Sequence, residues 1–299
     1  MGKASRIKQQ SAREKVAAQR EAARRAERRN RLLITGGSTL AVLVIVLVFI
    51  IVKVGQGSSN NSGNTSSTGT LLPASVASQV TGVPAATLDR VGRGTVPSFT
   101  QGKAPFAPGS GPPVIKAGKP EMLYIGAEFC PYCAAMRWSM AVALSRFGTL
   151  TPLHGIHSSS TDVNPNTATL TFYKTGYNSN YLSFTPVEVT TVSRAPLQNP
   201  TKAQNAIWAK YEPDANTRGY PFIAFGNKLV MKGPIYDAAV LQGKSWSQIA
   251  AALKDPASPI AQSVNGAANY ITGAICQMTN DQPASVCNSA AVTAVKSGL

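Results

Sequence analysis

Apolar and polar positions fall along this chain in blocks of very different length. Residues 32–52 carry no charge, and every position from Leu40 to Val52 is apolar. At about 1.5 Å per residue such a run reaches roughly 31 Å, the thickness of a bilayer's hydrocarbon core, so the pattern predicts a transmembrane helix over residues 32–54. A cleaved signal peptide fits less well, because the run is too long and no A-x-A-like site follows Val52. A buried core helix fits less well still, because no amphipathic face remains for water. Residues 55–70 contain only Gly, Gln, Ser, Asn and Thr, the composition of a flexible linker. Residues 71–115 are rich in Pro and Gly and read as a lead-in segment with one short helix before Arg90.

Periodic patterns take over after that. Met122 to Ala127 is a short apolar run of the kind buried in a central strand. Met136, Met140, Leu144 and Phe147 then recur at helical spacing, and Gly148 stands where that helix can stop. Asn199-Pro200 opens a second helix reaching about Tyr211. Phe222 to Phe225 and Leu229 to Met231 flank Gly226-Asn227, which reads as strand, two-residue turn, strand. Ser245 and Gln248 form a capping-box pattern ahead of a helix that ends before Asp255-Pro256. In the last segment, residues 255–299, Ser258-Pro259 opens a helix with Ile260, Val264, Ala268, Ile271 and Ile275 on one face, and Pro283 starts a last short one.

With 43% of residues hydrophobic and 14% charged, a disordered, highly charged polymer is excluded. The net charge of +16 is concentrated: residues 1–31 hold 11 Lys/Arg against 3 Glu. A basic tail ahead of an apolar span keeps the N-terminus cytoplasmic and touches anionic lipid headgroups, so the lipid bilayer is an expected partner. Nucleic acid is not, since no aromatic residues interleave the charges for stacking. The expectation is a single-pass protein of the cell membrane with an extracytoplasmic C-terminal domain.

All four cysteines, Cys130, Cys133, Cys276 and Cys287, fall after the apolar run, on the side where disulfides persist. The first pair stands in EFCPYCAAMRW, where the apolar strand gives way to the helix. Pro131 suits the first helical turn, which puts Cys130 at the helix N-terminus. Unpaired N–H groups and the positive dipole end stabilise a thiolate there, which makes Cys130 the better nucleophile. Cys133, one turn further in, is placed to resolve a mixed disulfide. A purely structural disulfide is the plainer alternative. A metal site is a third, because His154 and His157 complete a Cys2His2 count, but on one strand their spacing of three sends the rings to opposite faces. No metal and no cofactor is expected.

Strand, CPYC at a helix start, then a later strand opening at Pro221 and followed by a hairpin and a helix: this order resembles the thioredoxin-like superfamily. The resemblance implies an α/β thioredoxin-like fold over residues 116–254, a central mixed sheet flanked by helices, with an insertion across residues 158–198. It also implies Cys130 as attacking thiol, Cys133 as resolving thiol, and Pro221, preceded by Tyr220, as the cis-proline that helps hold substrate. More closely, AEFCPYCAAMRW, HSSSTDVNPNT, YLSFTPVEVTT and GKSWSQIAAAL are similar to a family of uncharacterised, membrane-anchored, thioredoxin-like prokaryotic proteins. Thioredoxins usually carry a buried acid six residues before the first cysteine, where this chain has Tyr124. Glu128 is the nearest carboxylate; it reads chiefly as an exposed strand-end residue and otherwise as a candidate for proton transfer.

Cys276 lies near the end of one terminal helix and Cys287 in the next, so a disulfide between them reads as a structural staple joining an added C-terminal helical pair. A second redox pair that relays electrons to Cys130 and Cys133 is the alternative. Together these readings predict a membrane-anchored extracytoplasmic thiol–disulfide oxidoreductase acting as oxidase, isomerase or reductase. Its partners are protein thiols or disulfides and a membrane redox partner. The competing class is a binding or assembly module, a holdase or scaffold, without turnover.

Overall fold

The strand Lys119–Gly126 is buried from Glu121 onward and forms the axis of the structure. The computed structural model describes residues 69–299, which lie within one compact unit. Its strands in chain order are β1 (Thr70–Leu71), β2 (Ala107–Pro108), β3 (Ile115–Lys116), β4 (Lys119–Gly126), β5 (Gly148–Thr151), β6 (His154–His157), β7 (Ala168–Thr171), β8 (Gly176–Ser179), β9 (Ser183–Glu188), β10 (Phe222–Phe225) and β11 (Leu229–Lys232). The helices are α1 (Ala74–Thr81), α2 (Ala85–Val91), α3 (Val96–Phe99), α4 (Pro131–Leu144), α5 (Lys202–Tyr211), α6 (Trp246–Ala252), α7 (Pro259–Met278), α8 (Ala284–Cys287) and α9 (Ala290–Lys296).

β4 lies between two neighbours of opposite sense. β9 runs parallel to it from Glu121↔Ser183 to Gly126↔Glu188, and β10 runs antiparallel with Ile125 opposite Phe222. β11 and then β2 extend this sheet beyond β10, and β3 returns onto the start of β4. Two smaller sheets stand apart, β1-β6-β7 and β5-β8. Between Phe225 and Leu229 the chain turns through Gly226 and Asn227, both at left-handed φ (55° and 63°), and the Lys228 N–H closes on the Phe225 carbonyl at 2.8 Å. This loop is one residue longer than the pattern predicts.

Local rules account for the helix starts. Thr201 and Gln204 close a capping box on α5, and Ser245 and Gln248 close one on α6. α4 is buried at every position except Tyr132. Three side chains from other elements bond its carbonyls: Thr169 Oγ1 to Ala134 at 2.6 Å, Tyr236 to Ala135 at 2.6 Å and Tyr177 to Leu144 at 3.0 Å. Its Trp138 indole donates outward to the Ala168 carbonyl at 3.0 Å. Held from so many sides, its first turn has little freedom to move.

The expected architecture, a thioredoxin-like fold with one central mixed sheet, a C-terminal helical pair and a transmembrane helix, is corrected by this arrangement. The described residues form a mixed α/β structure with several sheets, and no helix among them is long and apolar enough to cross a membrane. α7 has the length, but its polar side chains serve the fold: Asn265 Nδ2 donates to the Leu253 carbonyl, and Asn269 Nδ2 to those of Leu88 and Gly92. The expected anchor over residues 32–54, with its basic tail and most of the linker, lies outside the described residues. Single-pass anchoring with an extracytoplasmic domain is corrected accordingly, since no described helix supplies a span.

Other expectations shift as well. The stretch read as an insertion contains β7, β8 and β9, and β9 is a direct neighbour of β4. Its sequence, SFTPVE, mixes Pro and polar residues, and its burial comes from long-range pairing rather than from apolar content. The lead-in holds three short helices, not one, and contributes Val80, Leu88, Val96 and Phe106 to the main core. The C-terminal pair is a trio, because α9 follows α8 and buries Ala291, Val292 and Val295.

Cys276 at the end of α7 and Cys287 in α8 are disulfide-bonded and fully buried. Closing this short segment restricts the unfolded chain, a stabilisation of about 3 kcal/mol. The Cys276→Ala/Cys287→Ala double variant is therefore expected to unfold at lower urea, with a free energy reduced by about that amount. An unchanged midpoint would show that the crosslink does not constrain the unfolded ensemble.

Candidate active site

Cys130 is the N-cap of α4, with extended φ and ψ (−73° and 122°), and Pro131 occupies the first helical position. This geometry turns the Cys130 side chain back over the open end of the helix. Its Sγ accepts a hydrogen bond from the Cys133 backbone N–H at 3.2 Å. Both cysteines are free thiols, Cys130 5% exposed and Cys133 fully buried, while Tyr132 between them is exposed.

Tyr220 and Pro221 meet this turn from the start of β10, the strand next to β4. The peptide bond between them is cis, and the Cys130 Sγ lies 3.9 Å from the Tyr220 carbonyl oxygen, to which its thiol donates. Tyr220 also packs against Phe129 and against Trp208, with ring centroids 6.5 and 5.5 Å apart. The structure thus brings together four of the residues singled out in the sequence: Cys130, Cys133, Tyr220 and Pro221.

The segment leading into the turn is tied down at each residue. The Ala127 carbonyl accepts the Cys130 N–H at 3.2 Å, the Glu128 N–H donates to Thr190 at 3.0 Å, and the Phe129 carbonyl accepts the Ser159 N–H at 2.9 Å. Arg194, at left-handed φ, lays its guanidinium over the Phe129 ring at 3.7 Å and pairs with Asp162 at 2.8 Å. The loops after β6 and β9 therefore brace the strand-to-helix junction.

A buried polar cluster that the sequence reading missed completes the site. Arg137, one turn beyond Cys133 on α4, is fully buried and meets Glu188 at the end of β9 through two bonds, Nε to Oε1 at 2.8 Å and Nη2 to Oε2 at 2.7 Å. The same Nη2 reaches the Ala127 carbonyl at 2.8 Å. Tyr124 on β4 points its hydroxyl toward Gly126, where a Cβ would lie only 2.0 Å from that oxygen. Among the described residues, neither the Tyr124 hydroxyl nor Arg137 Nη1 has a hydrogen-bond partner. The only local hint of the pair was a charged residue, Arg137, inside an otherwise apolar helix.

These groups set the acidity of the thiols. A hydrogen bond from the Cys133 thiol is the main influence holding Cys130 below the ordinary cysteine range. Burial opposes it, and the Cys133 N–H and the Arg137 charge reinforce it. Cys133 is pushed well above that range, first by burial and then by its bond to Cys130. The two thiols are thus driven apart, one toward thiolate and one toward thiol. For Arg137, burial disfavours the charge, and Glu188, Tyr124 and Cys133 together more than offset it.

Glu128 is not the exposed strand-end residue expected. It is 2% exposed, and its Oε1 accepts the Thr171 hydroxyl at 2.6 Å. Burial raises its pKa, with the Thr171 bond acting against the rise. No hydrogen bond joins it to either cysteine among the described residues, so its place is beside the ion pair rather than on the sulfurs. The histidines sit on β6, where the His157 ring packs 4.6 Å from Trp246. Among the described residues, one group has the spacing to hold a metal, Cys276, Asp281 and Cys287, and both of its sulfurs are joined in the disulfide.

Because the folded-state pKa of Glu128 is raised, its contribution to stability is full at low pH and is lost as pH rises through that pKa. Glu128→Gln keeps an acceptor for Thr171 without the buried charge. Thermal unfolding should therefore show a higher midpoint for this variant than for the parent at pH 8, and a difference shrinking toward zero at pH 4. A difference that grows on acidification would contradict this.

Comparison with known proteins finds no match among curated proteins or solved structures. A family model does match, over residues 110–277, a stretch that takes in β4, the Cys130 turn, the Arg137–Glu188 pair, Pro221 and most of α7. The chain belongs to the family described as a domain of unknown function (DUF929).

Proposed function

We propose that this chain is a thiol–disulfide oxidoreductase in which Cys130 attacks and Cys133 resolves. The observation that carries the reading is the Cys130 sulfur at the open end of α4, hydrogen-bonded by the Cys133 N–H, with Cys133 buried behind it. Kinship of the CPYC segment with thioredoxin-like active sites belongs to the same reading, as an expectation about chemistry.

In the reducing direction the Cys130 thiolate attacks one sulfur of a substrate disulfide. The substrate S–S bond breaks, a mixed disulfide forms, and one substrate sulfur leaves as thiolate and takes up a proton. The Cys133 thiol then loses its proton and attacks the Cys130 sulfur, releasing the second substrate thiol and leaving a Cys130–Cys133 disulfide. Two electrons and two protons pass from the pair to the substrate, and the reverse sequence oxidises a dithiol. The Tyr220 carbonyl beside Cys130 offers an acceptor for the backbone N–H of a substrate protein. Substrates of this reading are protein thiols and disulfides.

The lowered pKa of Cys130 gives the reaction a pH signature. Exchange should rise with pH through the Cys130 pKa, below the range of a free cysteine, and level off above it. Cys130→Ser should reduce turnover of a model disulfide to the uncatalysed level, whereas Cys133→Ser should accumulate the mixed disulfide, visible by mass spectrometry. Wild-type turnover in both variants would exclude the reading.

A further inference from the structure

The Ala127 carbonyl is a shared joint. It accepts the backbone N–H of Cys130 at 3.2 Å and Nη2 of Arg137 at 2.8 Å, while Arg137 is gripped by both oxygens of Glu188. Both ends of the ion pair are fully buried. A fully buried ion pair contributes little net stability, because desolvation of two charges offsets most of their attraction. This pair stands within hydrogen-bonding reach of the carbonyl that also accepts the Cys130 N–H.

We propose that Arg137, clamped by Glu188, is a positioning residue for the dithiol: it holds the carbonyl from which the Cys130 turn hangs and supplies a buried positive charge one helical turn beyond Cys133. The inference rests on the dithiol being the reacting pair and adds the device that tunes it. Glu188 fixes the guanidinium and partly neutralises it, so the two members act on the sulfurs with opposite sign. The other titratable or charged groups facing this turn are Tyr124 from β4, Glu128 from the junction, Tyr220 ahead of β10 and Arg194 from the loop after β9. None of these bonds the Ala127 carbonyl.

The test is the sign of two shifts, read from the pH dependence of iodoacetamide alkylation of the reduced full-length protein. Glu188→Gln retains an acceptor for Arg137 and removes the neutralising charge, so the first apparent pKa of the dithiol should fall by about one pH unit, a tenfold gain in thiolate. Arg137→Gln/Glu188→Gln keeps a neutral hydrogen-bonded pair and should raise that pKa above the parent's. A purely structural role would move both variants the same way or neither, and either result overturns the proposal. If the double variant does not fold, Glu188→Gln decides alone: a fall supports the proposal, and a rise or no change overturns it. Alkylation needs no turnover, so a parent protein that alkylates as described but does not exchange disulfides would defeat the functional reading and leave this result standing.

Discussion

A sulfur anion taken out of water persists only where fixed donors replace the water it has lost. The Cys133 N–H supplies one such donor to Cys130 at 3.2 Å, and the remaining structure keeps that sulfur at the mouth of the helix. β4 delivers the chain to the turn, and β9 and β10 clamp β4 from both sides. α4 is locked by bonds from β7, β8 and Tyr236, and its side chains are buried almost throughout. The loops carrying Ser159, Thr190 and Arg194 close over the junction.

The electrostatics follow the same division. Cys130, hydrogen-bonded at the helix N-terminus, is drawn toward the thiolate, while the fully buried Cys133 is held as a thiol. In the proposed exchange this asymmetry makes Cys130 the attacking sulfur and Cys133 the resolving one. Arg137 and Glu188 bring charge into the same region, at a desolvation cost that a purely apolar packing of the helix against β9 would avoid. Glu128 adds a third ionisable group to the cluster, its carboxylate engaged by Thr171.

What the sequence revealed and what it hid divide along the range of the interactions. The CPYC helix start, the capping box at Ser245 and the strand through Met122 depend on neighbours within a few positions, and each is legible in the pattern. The Cys276–Cys287 bridge is short-range too. β9 was hidden because its Pro186 and Thr185 contradict a central strand, and only pairing with β4 buries it. Arg137 and Glu188 are separated by 51 residues, and a lone Arg in a helix reads as a solvated charge until a partner is placed opposite. Glu128 was misread for the same reason: Thr171, which receives it, is 43 residues away.

The central claim is that Cys130 and Cys133 cycle between dithiol and disulfide while Cys276 and Cys287 do not. Equilibrating the protein across dithiothreitol buffers of graded poise, followed by acid quench, alkylation and peptide mass spectrometry, tests this directly. A single two-electron transition confined to the Cys130–Cys133 peptide, with the Cys276–Cys287 bridge unchanged across it, is the result predicted. Alkylation of Cys130 and Cys133 at every poise, with no disulfide formed between them, would contradict the account.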